Sequence, residues 1–408
     1  MSSTTLETVG KLLRRRSEEF RDLVHEQLFV AELQARHLFP LQQAAAHREL
    51  APALAWALER TSTDADGDIH IPDEVRDRMR ELGIAHRRHG FPSTIYAPFA
   101  EMCTAALGEL NRRTHRPVVK HLIQAAARAF AAYCASMAEA AEAADLAGEP
   151  PAQMARVREV NRATSRTSVV RLEAAPGPSF APGQALMVTA SYTPGLWRAL
   201  TPAAPQNPGG FLEFHVRATE KGTATGLLAR AKVGDFWTVG AAHGRTYRPD
   251  TEHELVILAF ETGLAAAEAL VFSLLDAPAR PTTHLLVHAC YPGDHYDLER
   301  LRSLAEHADW LTVHVTVAEA IDPFWLPAPG GRRREASEIG ALKESPVALA
   351  SSLAQHRSGT QVLLTGPVDE VGDAHAALTD YGVNPAAIHT LDFDAANSWP
   401  GVSAHHRR

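Results

Sequence analysis

A guanidinium and a hydroxyl stand three residues apart near the middle of this 408-residue chain, at Arg198 and Thr201 in the run Leu196-Trp197-Arg198-Ala199-Leu200-Thr201-Pro202. A planar fork of N–H donors matches a diphosphate, and a hydroxyl beside it can bond the edge of a bound ring. The run follows Pro182-Gly183-Gln184 and precedes the Gly/Thr-rich stretch Lys221-Gly222-Thr223-Ala224-Thr225. The Thr225 hydroxyl and the amides after it would cap a short helix and face a phosphate. Taken singly, each is an ordinary strand or cap residue. Their order, with glycines on both sides, is what points to a phosphate-bearing ligand.

A second group lies far upstream. Val75, Met79, Leu82 and His86 recur at helical spacing, which places an imidazole on an apolar stripe. Such a histidine is ordinarily a satisfied core residue. A third lies downstream, where the apolar strand Leu255-Val256-Ile257-Leu258-Ala259-Phe260 turns through Glu261-Thr262-Gly263 into an Ala-rich helix. A glycine in such a turn lets backbone approach a phosphate, and the helix amides favour its charge.

The elements that must position these residues fall into three stretches. Residues 1–150 read as all-helical, broken at Pro40, Asp64-Ala65-Asp66-Gly67-Asp68, Pro92 and Pro117, and no strand pattern competes. Residues 151–250 carry β-rich runs near 167–172, 184–190, 210–216 and 235–239 between Pro/Gly turns, as in a small antiparallel barrel. Over 251–400, strands alternate with helices, which implies a parallel sheet with its site at the carboxyl ends of the strands. A short tail, 401–408, remains. The expected fold class is therefore multidomain: an all-α domain, an antiparallel β-barrel and an α/β parallel-sheet domain.

Composition bounds the function. Hydrophobic residues at 45% and charged residues at 22% are those of a globular protein. A net charge of -8 argues against nucleic acid or an acidic membrane as the main partner. No run of apolar residues is long enough for a membrane span and no leader pattern opens the chain, so stable membrane association is not expected and a cytoplasmic location is. Cys103, Cys134 and Cys290 lie far apart in apolar contexts without Cys-x-x-Cys spacing, as buried thiols do.

The segment Gly83-Ile84-Ala85-His86-Arg87-Arg88-His89-Gly90-Phe91, with Tyr96 ten residues after His86, resembles the proximal segment of the flavohaemoglobin globin domain. That resemblance implies His86 as ligand of haem iron, supported by Tyr96, with His89 as the alternative. His37-Leu38-Phe39-Pro40 is similar to the family's Phe-Pro corner, making Phe39 the ring that wedges against the porphyrin. Counting from Phe39, the distal tyrosine falls on His25 and the distal glutamine at or near His47; the resemblance implies His47 as hydrogen-bond donor to bound dioxygen. The family's proximal glutamate has no clean counterpart, since its position lands on Ala141, between Glu139 and Glu142.

Pro182-Gly183-Gln184, Arg198-Ala199-Leu200-Thr201, Phe214-His215-Val216-Arg217 and the Gly222 to Thr225 stretch resemble the flavin domain of the ferredoxin-reductase superfamily. The resemblance implies Arg198, Thr201, His215, Gly222 and Thr225 at FAD. Phe260-Glu261-Thr262-Gly263, Thr365-Gly366-Pro367 and the final strand ending at Phe393 resemble its nicotinamide domain, which implies Thr262, Gly263 and Gly366 at the dinucleotide and Phe393 covering the flavin. Three departures stand out. Leu200 replaces an aromatic, Ala185 a tyrosine, and Glu261 a glycine of the phosphate turn.

The resemblance as a whole implies a divergent flavohaemoglobin-like nitric oxide dioxygenase with haem b, FAD and NADH rather than NADPH as cofactors. Its partners would be the small molecules O2, NO and NADH, and the chain a monomer or weak dimer. Two other readings accompany it. A hydroxy acid or quinol could feed the flavin in place of NADH, or the chain could be a non-catalytic haem protein that binds or senses gas.

Overall fold

A computed structural model describes residues 4–33, 35, 49–64, 67–193, 195–218, 224–322 and 335–393. Phe39, His47 and Gly222 lie outside the described residues. The chain divides into two compact units, Met1–Ala152 and Gln153–Ala396. The first boundary falls where the composition changes. The barrel and the parallel sheet, expected as two domains, form one unit.

The first unit is built of α1 (Glu7–Arg15), α2 (Ser17–Ala31), α3 (Leu50–Arg60), α4 (Asp73–His86), α5 (Tyr96–Arg112) and α6 (Lys120–Leu146). Alanines on α6, among them Ala125, Ala126 and Ala129, are buried, so neighbouring helices approach its backbone closely. One close approach is at Gly83 of α4, where an added Cβ would lie 2.2 Å from the Met137 carbonyl of α6. Phe20 and Phe130 pack with ring centroids 6.5 Å apart in the same core. Arg14 of α1 grips Glu59 of α3 with two hydrogen bonds of 2.8 Å. Contrary to the all-helical reading, a small antiparallel sheet is present: β1 (Thr4–Thr5), β2 (Ser62–Thr63) and β3 (Ile69–His70). Strands of two residues are too short to show a period.

The second unit opens with β4 (Ala152–Asn161), β5 (Thr167–Ala174), β6 (Ala185–Ala190), β7 (Arg198–Leu200), β8 (Phe211–Arg217), the short α7 (Ala224–Leu228) and β9 (Phe236–His243). The strands lie in the order β7-β6-β9-β4-β5-β8. Just past β7, Pro202 bridges Phe214 of β8, and the Ala203 amide donates to the Glu213 carbonyl at 2.7 Å, so the sheet closes on itself. Closure removes the open edges and encloses Leu172, Leu186, Phe214, Trp237 and Val239.

There follow β10 (Leu255–Phe260), α8 (Leu264–Leu275), β11 (Thr283–Ala289), α9 (Leu298–His307), β12 (Leu311–Val317), α10 (Pro346–His356), β13 (Gln361–Pro367), α11 (Val368–Asp380) and β14 (Ile388–Phe393). The five strands run parallel in the order β12-β11-β10-β13-β14. Both faces are covered, as a parallel sheet requires. Ile257, Leu285 and Val287 pack with Leu264, Leu270 and Leu301 on one side, whereas Val256, Leu258 and Leu364 meet Ala350, Val371 and Leu378 on the other. The central strand β10 is buried at every position, which is why its sequence reads as an unbroken apolar run.

Candidate functional site

In the barrel, β7 delivers the two residues read first from the sequence. Arg198 is exposed, and its guanidinium donates to the Trp197 carbonyl at 2.9 Å through Nη1, leaving other donors facing outward. Thr201 follows just past the strand, half-buried. Leu200 leans on the barrel core, beside Leu186. Thr225 sits in the first turn of α7, where its carbonyl accepts from the Ala229 amide at 2.9 Å. A forked cation, a hydroxyl and a second hydroxyl at a helix start form a donor set that fits a flavin dinucleotide, and the residues needed are on the surface of the barrel rather than in its core.

The strand β8 tells a different story. Leu212, Phe214 and Val216 point into the barrel, and the alternate row Glu213, His215 and Arg217 faces the parallel sheet. His215 was expected at the cofactor. Instead its side chain is fully buried in an ionic cluster, with Nδ1 3.1 Å from the Tyr296 hydroxyl. Around its Nε2 lie Glu213 at 3.4 Å, Glu268 at 3.6 Å and Asp297 at 3.7 Å. Four such ligands have the chemistry to hold a metal ion. The cationic place is taken by Arg300, whose Nη2 lies 3.1 Å from Glu213, 2.5 Å from Glu268 and 3.1 Å from Asp297. Burial works against the Glu213 charge, but His215, Arg300 and Arg171 hold its carboxyl well below the usual range. The cluster joins the barrel to the sheet.

Two residues further along the same row, Arg217 forms an ion pair with Glu261 in the turn after β10. Glu261 has φ 51°, the left-handed conformation natural to glycine, so this turn keeps the shape of a glycine turn with a carboxylate added. Next to it, Gly263 is indispensable: a Cβ there would lie 2.3 Å from the Thr365 carbonyl and 2.7 Å from Gly366. The Thr365 hydroxyl donates to the Gly263 carbonyl at 3.0 Å, and Gly366 takes φ 145° against Phe260. Thr262, Gly263 and Gly366 are thus brought together at the carboxyl ends of β10 and β13. Phe393 ends the neighbouring β14, paired with Pro367. Beside them opens a small cleft lined by Arg217, Glu261, His288, Cys290, Asp294 and Tyr296. In the turn as it stands, the cation that a dinucleotide diphosphate would meet is already paired with Glu261.

In the helical unit, His86 is the last residue of α4 and is half-buried, its ring 6.1 Å from that of His89. The Tyr96 hydroxyl donates to the Gly83 carbonyl at 3.5 Å, nearly one turn before His86. Burial and the adjacent Arg88 charge lower His89 to about 4, and burial with Arg21 lowers the pKa of His25. His25 is buried on α2 and its ring lies 4.9 Å from that of Phe29. Phe29 in turn packs in one small cluster with Phe91 and Phe99, around Leu28, Ala35 and Met102. That cluster links the His25 end of α2 to the loop after His89. Histidines at an apolar cluster, kept neutral by burial as at His25 and His89, supply the donor type that an axial haem ligand requires. No proximal carboxylate joins them from the expected positions: Glu139 and Glu142 are exposed, and Ala141 occupies the inward place.

The pairing of Arg217 with Glu261 and the Arg300 cluster escaped the sequence reading. The available signal was the alternation on β8, where Glu213, His215 and Arg217 share one face of a strand whose other face is apolar.

Residues 153–247 match the family model of the oxidoreductase FAD-binding domain. The chain is 26% identical over 182 residues to the anthranilate 1,2-dioxygenase electron transfer component of Acinetobacter baylyi, covering 44% of this chain and 53% of that one. It is 24% identical over 192 residues to NADH-cytochrome b5 reductase 1 of Lodderomyces elongisporus, covering 46% and 60%. The matches thus span little more than half of these relatives. Among solved structures, the flavohaemoglobin of Malassezia yamatoensis, with bound FAD and haem, superposes with a TM-score of 0.64 at 12% identity, over 95% of this chain and 99% of that one. The barrel thus matches an oxidoreductase FAD-binding domain and is joined to a parallel-sheet domain, and the helical unit is consistent with a globin-like fold. Among the described residues, no helix is long and apolar enough to cross a membrane.

Proposed function

We propose that this chain is an NAD(P)H-dependent flavohaemoglobin-like oxidoreductase that converts nitric oxide and dioxygen to nitrate. The observation that carries the reading is the order of parts within one fold: a helical unit with His86 at the end of α4, an FAD-binding barrel, and a parallel sheet, superposable over 95% of the chain on a protein built from the same parts. FAD, held by Arg198, Thr201 and Thr225, would supply the change from two-electron to one-electron transfer. Haem b, held by His86, would supply the iron at which O2 and NO react. Tyr96 fixes the start of α5 against the Gly83 carbonyl and so sets the end of α4 that carries His86. His25, buried on α2, would offer a hydrogen bond on the distal side.

The test is an absorption spectrum of the purified full chain after haem reconstitution, before and after anaerobic addition of NADH, followed by NADH consumption with and without NO. A Soret band that shifts on reduction, lost in His86→Ala, and NO-dependent NADH consumption are expected. Absence of the Soret band, or NADH consumption indifferent to NO, overturns the reading. The pairing of Glu261 with Arg217 favours a second reading in which a donor without phosphates, a hydroxy acid or quinol, reduces the flavin. Flavin reduction by such a donor, with none by NADH, would select it.

A further inference from the structure

We infer that Glu261 is an internal competitor for the donor's diphosphate: its carboxylate occupies Arg217, the cation that a phosphate entering the β10–α8 turn would meet. The inference rests on the nicotinamide reading of the parallel sheet and names the residue that controls entry to it.

Three observations carry it. The turn is tightly packed, because Gly263 lies against the Thr365 carbonyl and Gly366 against Phe260, where an added Cβ would clash. Beside it, the Glu261 side chain reaches Arg217. Its partner Arg217 is at the end of β8, and both side chains are largely buried, 28% and 21% exposed, so the pair is screened less than a surface pair. Finally, Glu261 is a non-glycine residue at φ 51°, a conformation that is strained for a residue with a Cβ. The ion pair offsets that strain, which ties the backbone shape of the turn to its closed state.

A diphosphate entering the turn must therefore displace the carboxylate from Arg217 and then lie beside it. Both steps oppose binding. A like charge at contact weakens an anion by about fivefold in water and by several hundredfold at an effective dielectric of 20. Glu370 adds a second carboxyl beside Glu261, held toward its neutral form by burial and by the Glu261 charge.

The experiment compares the wild-type full chain with Glu261→Gly, which suits the left-handed backbone, and with Glu261→Gln. Dissociation constants for NADH and for ADP, a probe of the diphosphate alone, are measured by calorimetry, with FAD content recorded alongside. Glu261→Gly should tighten both ligands about tenfold or more, Glu261→Gln less, and the gain should vanish when Arg217→Leu is added to Glu261→Gly. FAD content should not change. Dissociation constants within twofold of wild type in Glu261→Gly, or a gain that survives Arg217→Leu, overturn the inference. Failure of the nicotinamide reading is separable: ADP would still tighten in Glu261→Gly while NADH reduced the flavin in no variant.

Discussion

Arg300 and Glu268 meet at 2.5 Å, Nη2 to Oε2, at a point where Glu268 has no exposed surface and its second oxygen lacks a hydrogen-bond partner. The same nitrogen faces Glu213 and Asp297. One nitrogen cannot satisfy three full carboxylate charges, and burial, aided by Asp297 and Glu213, drives the Glu268 carboxyl well above its ordinary range despite Arg300. Burial thus disfavours the charged form of Glu268 in the cluster. Arg300→Met should cost the second unit about 3–5 kcal/mol, since it strands the remaining buried carboxylates, whereas Glu268→Gln should cost about 1 kcal/mol or less. Urea unfolding of the full chain, followed by far-UV circular dichroism, reads both. Equal losses would show that Glu268 is held as a charged partner.

Gly83 sets how closely α4 approaches α6. An alanine there would place its Cβ 2.2 Å from the Met137 carbonyl, a contact only helix separation can relieve. Gly83→Ala should therefore destabilise the helical unit by about 1–3 kcal/mol, the usual range for overpacking. It should also displace the end of α4 and weaken haem uptake by the reconstituted chain. Thermal unfolding and haem titration check the two effects, and unchanged values in both would place the glycine outside the tight crossing.

Much of this architecture was legible because burial leaves a period. The run Leu255–Phe260 reads as a central parallel strand since it is covered on both faces, and β14 (Ile388–Phe393) falls where its pattern placed it. The ten-residue β4 did not, because Arg156 and Arg158 alternate with Ala155 and Val157 beside a bulge between Val157 and Glu159, and charge hides the apolar face. Arg198, Thr201, Thr262, Gly263 and Gly366 were readable as motif residues. The fate of His215 was not, since its partners Glu268, Tyr296 and Asp297 are distant in sequence, and nothing local distinguishes a histidine facing a cofactor from one facing a buried acid. Glu261 was readable as a departure from a glycine turn, but its capture by Arg217 depends on the register of a strand some forty residues earlier.

Leu200 stands where the flavin-domain pattern has an aromatic, and it lies half-buried against the barrel core next to exposed Arg198. Stacking of an aromatic on a planar ring contributes about 0.5–1.5 kcal/mol beyond burial, equivalent to roughly two- to twelvefold in affinity. Leu200→Tyr should raise FAD affinity by that amount, and Arg198→Ala should lower it by more, because a charge-assisted contact to phosphate is lost. Fluorescence titration of the apo-protein with FAD distinguishes these outcomes. A Tyr substitution that weakens FAD would mean that position 200 serves the barrel core alone.

Glu370, in the first turn of α11, has a buried oxygen without a partner, and burial together with the Glu261 charge raises its carboxyl to about 7. The folded chain thus binds a proton that the unfolded chain releases near 4.3. Stability contributed by the neutral acid is complete below the unfolded value and is lost as pH rises through about 7. Glu370→Gln mimics the neutral form at every pH. Its stability relative to wild type should be nearly constant below about pH 4.3 and should climb in favour of the variant up to about pH 8. Glu261→Gly, which removes the second cause of the shift, should bring the wild-type-like pH dependence down toward lower pH. Chemical unfolding of the three chains across this range provides the measurement, and parallel curves for wild type and Glu370→Gln would mean that the carboxyl titrates in the folded chain as it does in the unfolded one.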